Sequence, residues 1–304
     1  MEERWIKENG PYSPQLVKGI IQRSDIDIWI LFSYRYWTTV QALRLFKKKA
    51  ILVPTAEHDP ALYLSVFKEL FKLPGAIAYN SVEEQELIHS IAGNRKVPGD
   101  VVGVGLPDTE NNCQETRDFR AMDPYILYIG RIDKNKGCDH LFRMFLRFCK
   151  DVRDDVSLLI IGKPVIPIPA HPSVRHLGFV SEREKNEALR HCRFLVMPSR
   201  YESLSMVLLE AWRYQRPTLV NGRCEVLQGQ CLRSNGGLFY KNYDEFAEHV
   251  VFLLENKSVA ERIGKQGFRY YQENYEWRVI EDKYESLLKS VELNSMGDSP
   301  SEMA

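Results

Sequence analysis

Short apolar runs alternate along most of this chain with longer stretches of helical periodicity, and this alternation restricts the fold more than any other feature. The runs occupy residues 26–32, 50–53, 76–79, 101–104, 125–129, 156–161, 194–197 and 218–220. Such short apolar runs are typical of strands buried on both faces of a parallel sheet. Between them, Leu141, Phe145 and Phe148 fall on one helical face. The pattern therefore predicts an α/β protein in which helices cover parallel sheets.

The length of 304 residues is suited to two domains rather than one core. A polar stretch over 109–123 separates strands on both sides, so we expect two Rossmann-like sheets joined there. We predict a partial N-terminal domain over 1–122 and a second domain over 123–275. A C-terminal helix over 276–293 and a disordered tail over 294–304 follow.

The first domain is predicted to be incomplete. Residues 1–24 are polar and offer no opening strand with a glycine-rich turn, so the domain falls short of a full unit by about one βαβ pair. Three explanations are compatible with this: a truncated chain, a degenerate protein, or a subunit that a partner completes. Missing strands would leave an apolar sheet edge exposed.

Composition excludes several classes of protein. The chain has 41 basic and 41 acidic residues, which argues against a nucleic-acid partner. Its six cysteines form no CxxC pair, which favours free thiols over a zinc site or a disulfide framework. No signal peptide and no membrane-spanning run is found, so we expect a cytoplasmic protein. Peripheral membrane contact, for example through Lys47, Lys48 and Lys49, is left open.

Two glutamates eight residues apart, Glu202 and Glu210, follow the run 194–197. A helix is predicted to begin near Ser203 or Ser205, since serine is a common N-cap. The loop then lies at the carboxyl end of a parallel strand, and the start of the helix suits a phosphate. At ~1.5 Å per residue the glutamates lie about 10–12 Å apart, enough for a sugar and a ribose with a diphosphate between them. The alternative is two exposed glutamates on an ordinary helix.

A second motif follows the run 125–129. Gly130 permits close backbone approach, and Arg131 and Lys136 follow it before Gly137 and a helix. Arginine presents a planar fork to phosphate oxygens and lysine a point charge. The motif therefore indicates a phosphate site. Taken alone, the two cations could equally be solvated loop charges.

Five motifs together resemble the donor domain of glycosyltransferase family 4. In chain order they are Gly130-Arg131…Lys136-Gly137, Leu177-Gly178-Phe179-Val180, Pro198-Ser199…Glu202…Glu210-Ala211, Gly236-Gly237-Leu238-Phe239 and Tyr275-Glu276-Trp277. The resemblance covers residues 123–291, and residues 51–59, 76–81 and 101–107 are similar to the later part of that family's first domain. It implies a GT-B fold and transfer with retention of configuration, without a metal or other cofactor.

The resemblance also implies roles for individual residues. Arg131 and Lys136 would bind the donor diphosphate in place of a metal ion. Glu202 would hold hydroxyls of the transferred sugar, and Glu210 the ribose. Backbone N–H groups of Ser203, Leu204 and Ser205 would assist Glu202, Gly130 would approach the donor closely, and Val180 would border the base.

His58 matches the histidine with which the family's first domain faces the sugar, although a capping or core role is an alternative. The resemblance suggests no covalent nucleophile. One departure is local: the family has glycine before the proline that follows the helix carrying Glu210, and this chain has Tyr214-Gln215-Arg216-Pro217. We therefore expect that helix to end without a left-handed residue.

The sequence thus predicts a retaining, metal-independent glycosyltransferase that uses a nucleoside-diphosphate sugar. The acceptor, whether glycan, lipid or small molecule, is left open, as are the base and the sugar. Two alternatives are a non-catalytic or partner-dependent nucleotide-sugar-binding module and a GT-B sugar-nucleotide epimerase.

Overall fold

Two units, each built on one parallel sheet, make up the computed structural model, which describes residues 2–107 and 117–297. The first unit runs to Val104 and resumes at Trp277, and the second runs from Gly105 to Glu276. The second unit therefore begins earlier than the predicted boundary at residue 123. Phe119 explains part of this shift, because it is buried and its ring packs 6.4 Å from that of Tyr125.

The first sheet has four parallel strands in the order β1-β2-β3-β4. They are β1 (Trp29–Phe32), β2 (Ala50–Val53), β3 (Ala76–Tyr79) and β4 (Gly99–Val101). The predicted positions of β2 and β3 are confirmed, and all their residues are buried. β1 begins three residues later than predicted and β4 ends three residues earlier. β1 lies at the edge, where Ile30 and Phe32 are exposed.

Five helices precede the second unit. They are α1 (Glu2–Glu8), α2 (Pro14–Ile21), α3 (Trp37–Phe46), α4 (Ser65–Leu70) and α5 (Val82–Ala92). Residues 1–24, which showed no strand pattern, thus contribute two helices. Ile6 of α1 is buried in the core, and Glu2 accepts hydrogen bonds from the backbone N–H groups of Ser65 and Val66 at the start of α4. Lys47–Lys49 form an exposed 3-10 turn after α3.

A buried carboxylate links the ends of β2 and β3. Glu84 of α5 is almost fully buried and accepts hydrogen bonds from the backbone N–H groups of Ala56 and Asn80. Its own backbone N–H donates to the Ser81 hydroxyl, which caps α5. Burial raises the pKa of Glu84 to about 8, although the two N–H donors oppose the shift.

The second sheet has six parallel strands in the order β10-β9-β8-β5-β6-β7. They are β5 (Tyr125–Ile129), β6 (Ser157–Ile161), β7 (Val174–His176), β8 (Phe194–Met197), β9 (Thr218–Asn221) and β10 (Gly237–Tyr240). The order is that of a doubly wound Rossmann sheet, whose direction of winding reverses between β5 and β8. β7 and β10 were not among the predicted strands.

Six helices cover this sheet. They are α6 (Cys138–Asp151), α7 (Glu182–His191), α8 (Met206–Arg213), α9 (Glu225–Ser234), α10 (Tyr243–Glu255) and α11 (Lys257–Tyr275). The predicted face of α6 is confirmed: Leu141, Phe145 and Phe148 are fully buried.

The last helix, α12 (Trp277–Gly297), belongs to the first unit, where it contacts β2, β3 and β4. Ile280, Leu287 and Val291 are buried, and Lys283 donates to the backbone carbonyl of Val101 at 3.0 Å. The helix continues past the predicted end at residue 293. The rest of the predicted disordered tail, residues 298–304, lies outside the described residues.

Candidate functional site

All the predicted site residues of the second unit except Val180 follow the ends of two neighbouring strands. β5 and β8 pair directly, with Ile126 opposite Phe194, and the sheet reverses its winding between them. In open α/β sheets ligands bind beyond the carboxyl ends of the strands at such a point. The loop after β5 carries Arg131 and Lys136, and the loop after β8 carries Glu202.

The loop after β5 is held by Asp133. One carboxylate oxygen accepts from the backbone N–H of Lys136 at 2.7 Å, and the other accepts from the Arg131 guanidinium. Burial opposes ionisation of Asp133, but these two donors outweigh it and lower the pKa of the carboxyl. Arg131 itself remains exposed. Its guanidinium is thus oriented by Asp133 while one face stays open to solvent.

Gly137 brings the two loops together. It precedes α6 with φ of 73°, in the left-handed region. A Cβ at this position would fall deep inside van der Waals contact with the carbonyl oxygen of Pro198, the residue after β8. Both the backbone angle and the close approach therefore require glycine. The ends of β5 and β6 also approach closely. A Cβ on Gly162, after β6, would overlap the carbonyl of Gly130, after β5.

Lys136 and Glu202 form an ion pair at 2.7 Å, although they lie 66 residues apart. The Glu202 side chain is only 10% exposed and that of Lys136 is 30% exposed. The structure therefore joins the cation predicted for the diphosphate to the acid predicted for the sugar. Lys136 is therefore not a solvated loop charge, and Glu202 is not an exposed glutamate on an ordinary helix.

The start of α8 differs from the prediction. Ser205 occupies the N-cap position, but its φ is 72° and its side chain forms no capping hydrogen bond. Its hydroxyl is buried without a hydrogen-bond partner among the described residues, as is that of Ser199. Ser203 does not cap the helix either, and Leu204 is buried between the two serines. Within the described part of the chain, no side chain accepts from the first N–H groups of α8, a state that suits an anionic ligand.

Glu210, in the second turn of α8, is bound by Lys185 of α7. The distance is 2.8 Å, and Lys185 also contacts Glu182 at 2.7 Å. Burial disfavours the ammonium, but Glu210 and Glu182 outweigh it and raise the pKa of Lys185. The second oxygen of Glu210 is buried and has no hydrogen-bond partner among the described residues.

Lys185 was not predicted as a site residue. It lies in an ordinary polar helix, and only the packing of α7 beside α8 brings it to Glu210. Val180 is half-buried in the loop between β7 and α7, next to Phe179, whose side chain is 92% exposed. Ser181 then caps α7 by accepting from the backbone N–H of Glu184 at 3.2 Å.

His58 belongs to the first unit. It is exposed, and its Nδ1 lies 2.8 Å from the hydroxyl of Tyr63. The neighbouring Asp59 caps the turn Pro60–Tyr63 and accepts from Arg35 at 3.1 Å. The capping role in this turn therefore falls to Asp59 rather than to His58.

Within residues 2–107 and 117–297, no group of three or more His, Cys, Asp or Glu side chains could hold a metal ion. The five cysteines in that part of the chain form no disulfide, and Cys113 lies outside it. No helix in the described part of the chain is both long and apolar enough to cross a membrane.

Comparison with known proteins decides the family of the second unit. Residues 123–256 match the family model described as "Glycosyl transferases group 1". This chain carries a glycosyltransferase domain. The matched residues contain both loops and α8, so the glycosyltransferase domain holds every predicted site residue except His58.

Relatives of the glycosyltransferase domain are distant. The alpha-D-kanosaminyltransferase of Streptomyces kanamyceticus is 25% identical over 206 residues, which cover 61% of this chain and 51% of that protein. The chain spans about half the length of the first curated relatives that it matches.

Solved structures share the fold. Sucrose-phosphate synthase from Thermosynechococcus elongatus superposes with a TM-score of 0.74 at 16% identity, covering 94% of this chain and 82% of that one. Anabaena HepE, solved with UDP and glucose, gives 0.71 at 14% identity, covering 91% and 81%. The fold is the GT-B type of glycosyltransferases, with two Rossmann-like units.

Proposed function

We propose that this protein is a retaining, metal-independent glycosyltransferase that takes its sugar from a nucleoside-diphosphate donor. The observation that carries the proposal is the ion pair between Lys136 and Glu202 at the point where the second sheet reverses its winding. One partner can bind phosphate and the other can bind sugar hydroxyls, and a donor presents both groups side by side. HepE, a protein of similar fold, was solved with UDP and glucose, which supports this class of ligand.

Arg131 and Lys136 are the proposed ligands of the diphosphate. Arg131 is exposed and oriented by Asp133, so its free face can form a forked contact with phosphate oxygens. Lys136 would exchange its contact with Glu202 for one with phosphate. Two cations at the leaving group stabilise the charge that develops there, the role that a metal ion has in other transferases.

Glu202 and the start of α8 are the proposed contacts of the transferred sugar. The carboxylate would accept hydrogen bonds from sugar hydroxyls, and the uncapped N–H groups around Ser203, Leu204 and Ser205 would donate to the donor's oxygens. On the strength of the sequence resemblance, His58 would also contact the sugar.

Glu210 is the proposed ligand of the ribose. Lys185 holds one of its oxygens, and the second is buried and available to accept from ribose hydroxyls. Val180 would border the base. Gly130, which has no side chain, would let the donor approach the backbone closely. The proposed contacts of the base, the diphosphate and the sugar thus follow the carboxyl ends of β7, β5 and β8, and the ribose ligand lies on the helix after β8.

The proposed reaction needs no covalent enzyme intermediate. The bond between the anomeric carbon and the diphosphate oxygen breaks, and the acceptor oxygen bonds to the same face of that carbon. The acceptor's proton passes to the leaving phosphate oxygen, and a nucleoside diphosphate is released. Glu202, which is paired with Lys136, has the role of positioning the sugar and not that of a nucleophile.

Calorimetric titration with UDP-, GDP- and ADP-sugars tests the donor site. We expect one of them to bind, and Lys136→Ala to weaken it at least tenfold because a charge-assisted contact is lost. Lys134→Ala is the matched control, an exposed lysine of the same loop, and should change affinity less than threefold. Equal losses in both variants, or no binding by any donor, would contradict the assignment.

Two alternatives make different predictions. The four-stranded first sheet favours a non-catalytic or partner-dependent binding module, which would bind a donor yet neither transfer nor hydrolyse its sugar. An epimerase would convert a labelled donor without any acceptor. Incubating the chain with labelled donor, with and without candidate glycan, lipid or small-molecule acceptors, separates all three. A cytoplasmic location remains part of the proposal.

A further inference from the structure

A cavity of about 450 Å³ opens at the carboxyl ends of β8, β9 and β10. Its charged and aromatic lining comes from the residues that follow these strands and from α6: His140, Arg200, Tyr201, Arg223, Lys241 and Tyr243. None of the residues proposed to hold the donor lines it. A cavity of this size suits a small molecule.

Three cations face this cavity without acidic partners. Among the described residues, no carboxylate forms an ion pair with Arg200, Arg223 or Lys241, and the Arg223 guanidinium donates only to the carbonyl of Lys241 at 3.1 Å. The nearby carboxylate of Glu245 accepts instead from the uncharged N–H groups of Lys241 and Asn242, at 2.6 and 2.9 Å. The lining of the cavity therefore carries a net positive charge.

His140 responds to this positive field. Burial lowers its pKa, and Arg143, Arg200 and Arg223 lower it further. A neutral imidazole adds a hydrogen-bonding group to the lining without adding a charge. Asp139, the neighbouring acid, is engaged by Arg143 at 3.2 Å and does not neutralise Arg200 or Arg223.

The remaining lining provides rings and amides. Tyr201 is half exposed beside Arg200, and Tyr243 is held by the Arg147 guanidinium, which lies 3.7 Å from the ring centroid. Asn221 and Asn242 contribute amide groups. The hydroxyl of Tyr240, at the end of β10, is buried with no hydrogen-bond partner among the described residues. Rings and amides beside arginines suit a ligand with both a hydroxylated ring and an anionic group.

We propose that this cavity binds a small phosphorylated sugar, with the phosphate on Arg200, Arg223 and Lys241 and the sugar ring between Tyr201 and Tyr243. The arginines offer planar forks that match phosphate oxygens, and the lysine adds a point charge. This site is distinct from the donor site, so it does not depend on the proposed transferase activity. In a transferase such a ligand would be an acceptor or an effector.

The test is calorimetric titration of the full chain with glucose 6-phosphate at low ionic strength. We expect glucose 6-phosphate to bind at least tenfold more tightly than glucose or inorganic phosphate, since each of these satisfies only half of the lining. The Arg200→Gln/Arg223→Gln double variant should lose at least tenfold in affinity. Lys241→Gln should lose at least threefold, and it decides the matter if the double variant fails to fold.

Two further variants locate the binding. Arg175→Gln removes a half-buried arginine of β7 that pairs with Asp123, at the opposite edge of the same sheet, and should leave affinity within twofold. Arg131→Ala, in the donor site, should also leave the affinity for glucose 6-phosphate within twofold, because the phosphate does not bind there. The proposal is overturned if the native chain binds no glucose 6-phosphate, if Lys241→Gln and the folded double variant bind normally, or if Arg131→Ala abolishes binding. Equal affinity for inorganic phosphate would overturn the part assigned to the tyrosines.

Discussion

Lys185 of α7 donates to Glu210 of α8 at 2.8 Å, and their side chains are only 14% and 10% exposed. The pair thus ties the helix that carries the predicted ribose ligand to its neighbour in the glycosyltransferase domain. Removing one partner of a largely buried pair leaves the other charge without compensation, and this is more costly than losing an exposed pair.

We predict that Lys185→Met lowers the free energy of unfolding by about 3 kcal/mol, because Glu210 is left buried and unpaired. Lys289→Met is the matched control, since it breaks an exposed pair with Glu285 in α12, and it should cost less than about 1 kcal/mol. Urea unfolding of both variants measures the difference. Adding Glu210→Gln to Lys185→Met should restore part of the stability, and a further loss would count against the pairing.

Gly137 should tolerate alanine much less well than Gly178 does. Both have φ near 75°, but a Cβ on Gly137 would overlap the Pro198 carbonyl, whereas a Cβ on Gly178 meets nothing within 4 Å. Gly178→Ala should therefore cost only the backbone term of about 1–2 kcal/mol, and Gly137→Ala at least about 2 kcal/mol more. Thermal and urea unfolding compare the two. Equal costs would show that the β5 and β8 loops are not in close contact.

Gln215→Gly should stabilise the protein by about 0.5–1 kcal/mol. Gln215 is exposed and has φ of 55°, a conformation that costs a non-glycine residue more than it costs glycine. The same substitution at Gln272, an exposed residue inside α11, should destabilise by about 1 kcal/mol. Opposite signs of the two changes in urea unfolding are the expected result.

The stability that depends on Glu84 should fall as pH rises. Burial raises the pKa of Glu84 from 4.5 to about 8 in the folded chain, so the folded state binds this proton more tightly than the unfolded state. The associated stability is complete below pH 4.5 and is lost as pH rises through 8, by up to about 1.4 kcal/mol per pH unit.

The check is the unfolding free energy of the native chain relative to Glu84→Gln, measured from pH 5 to 9. We expect the difference to shift against the native chain across that range. Glu86→Gln, at an exposed position of α5, is the matched control for the loss of one carboxylate. A flat profile for Glu84→Gln would mean that the two backbone N–H donors keep the carboxylate ionised.

Burial on both faces explains which strands could be predicted. Every residue of β2, β3, β5 and β8 is buried, so these strands appear in the sequence as unbroken apolar runs. β7 has only three residues, two of them Arg175 and His176, and such an edge strand leaves no hydrophobic signal. The position of β7 is set by its pairing with β6, a contact between distant residues that a short stretch of sequence does not reveal.

Some features of the site could likewise be predicted from the sequence, and others depend on packing. Residue type and position after a strand were enough to select Lys136 and Glu202, whose contact the sheet then makes. The left-handed conformation of Gln215 corrects the expectation that α8 ends without such a residue, and its carbonyl packs closely against Gly264 of α11. Lys185 and the uncapped Ser205 depend on packing between α7, α8 and the β8 loop, which no short sequence window contains.

The ion pair between Lys136 and Glu202 makes the site sensitive to whether a ligand offers partners for both charges or for only one. An anion alone gives Lys136 a new partner but leaves the Glu202 carboxylate, which is 10% exposed, without one. A neutral sugar alone gives Glu202 a partner and leaves Lys136 without one. Each incomplete ligand therefore leaves one charged group desolvated and unmatched. If the donor binds as proposed, its phosphate and hydroxyls on adjoining atoms would satisfy both groups at once, and the resting pair would discriminate against fragments of the donor.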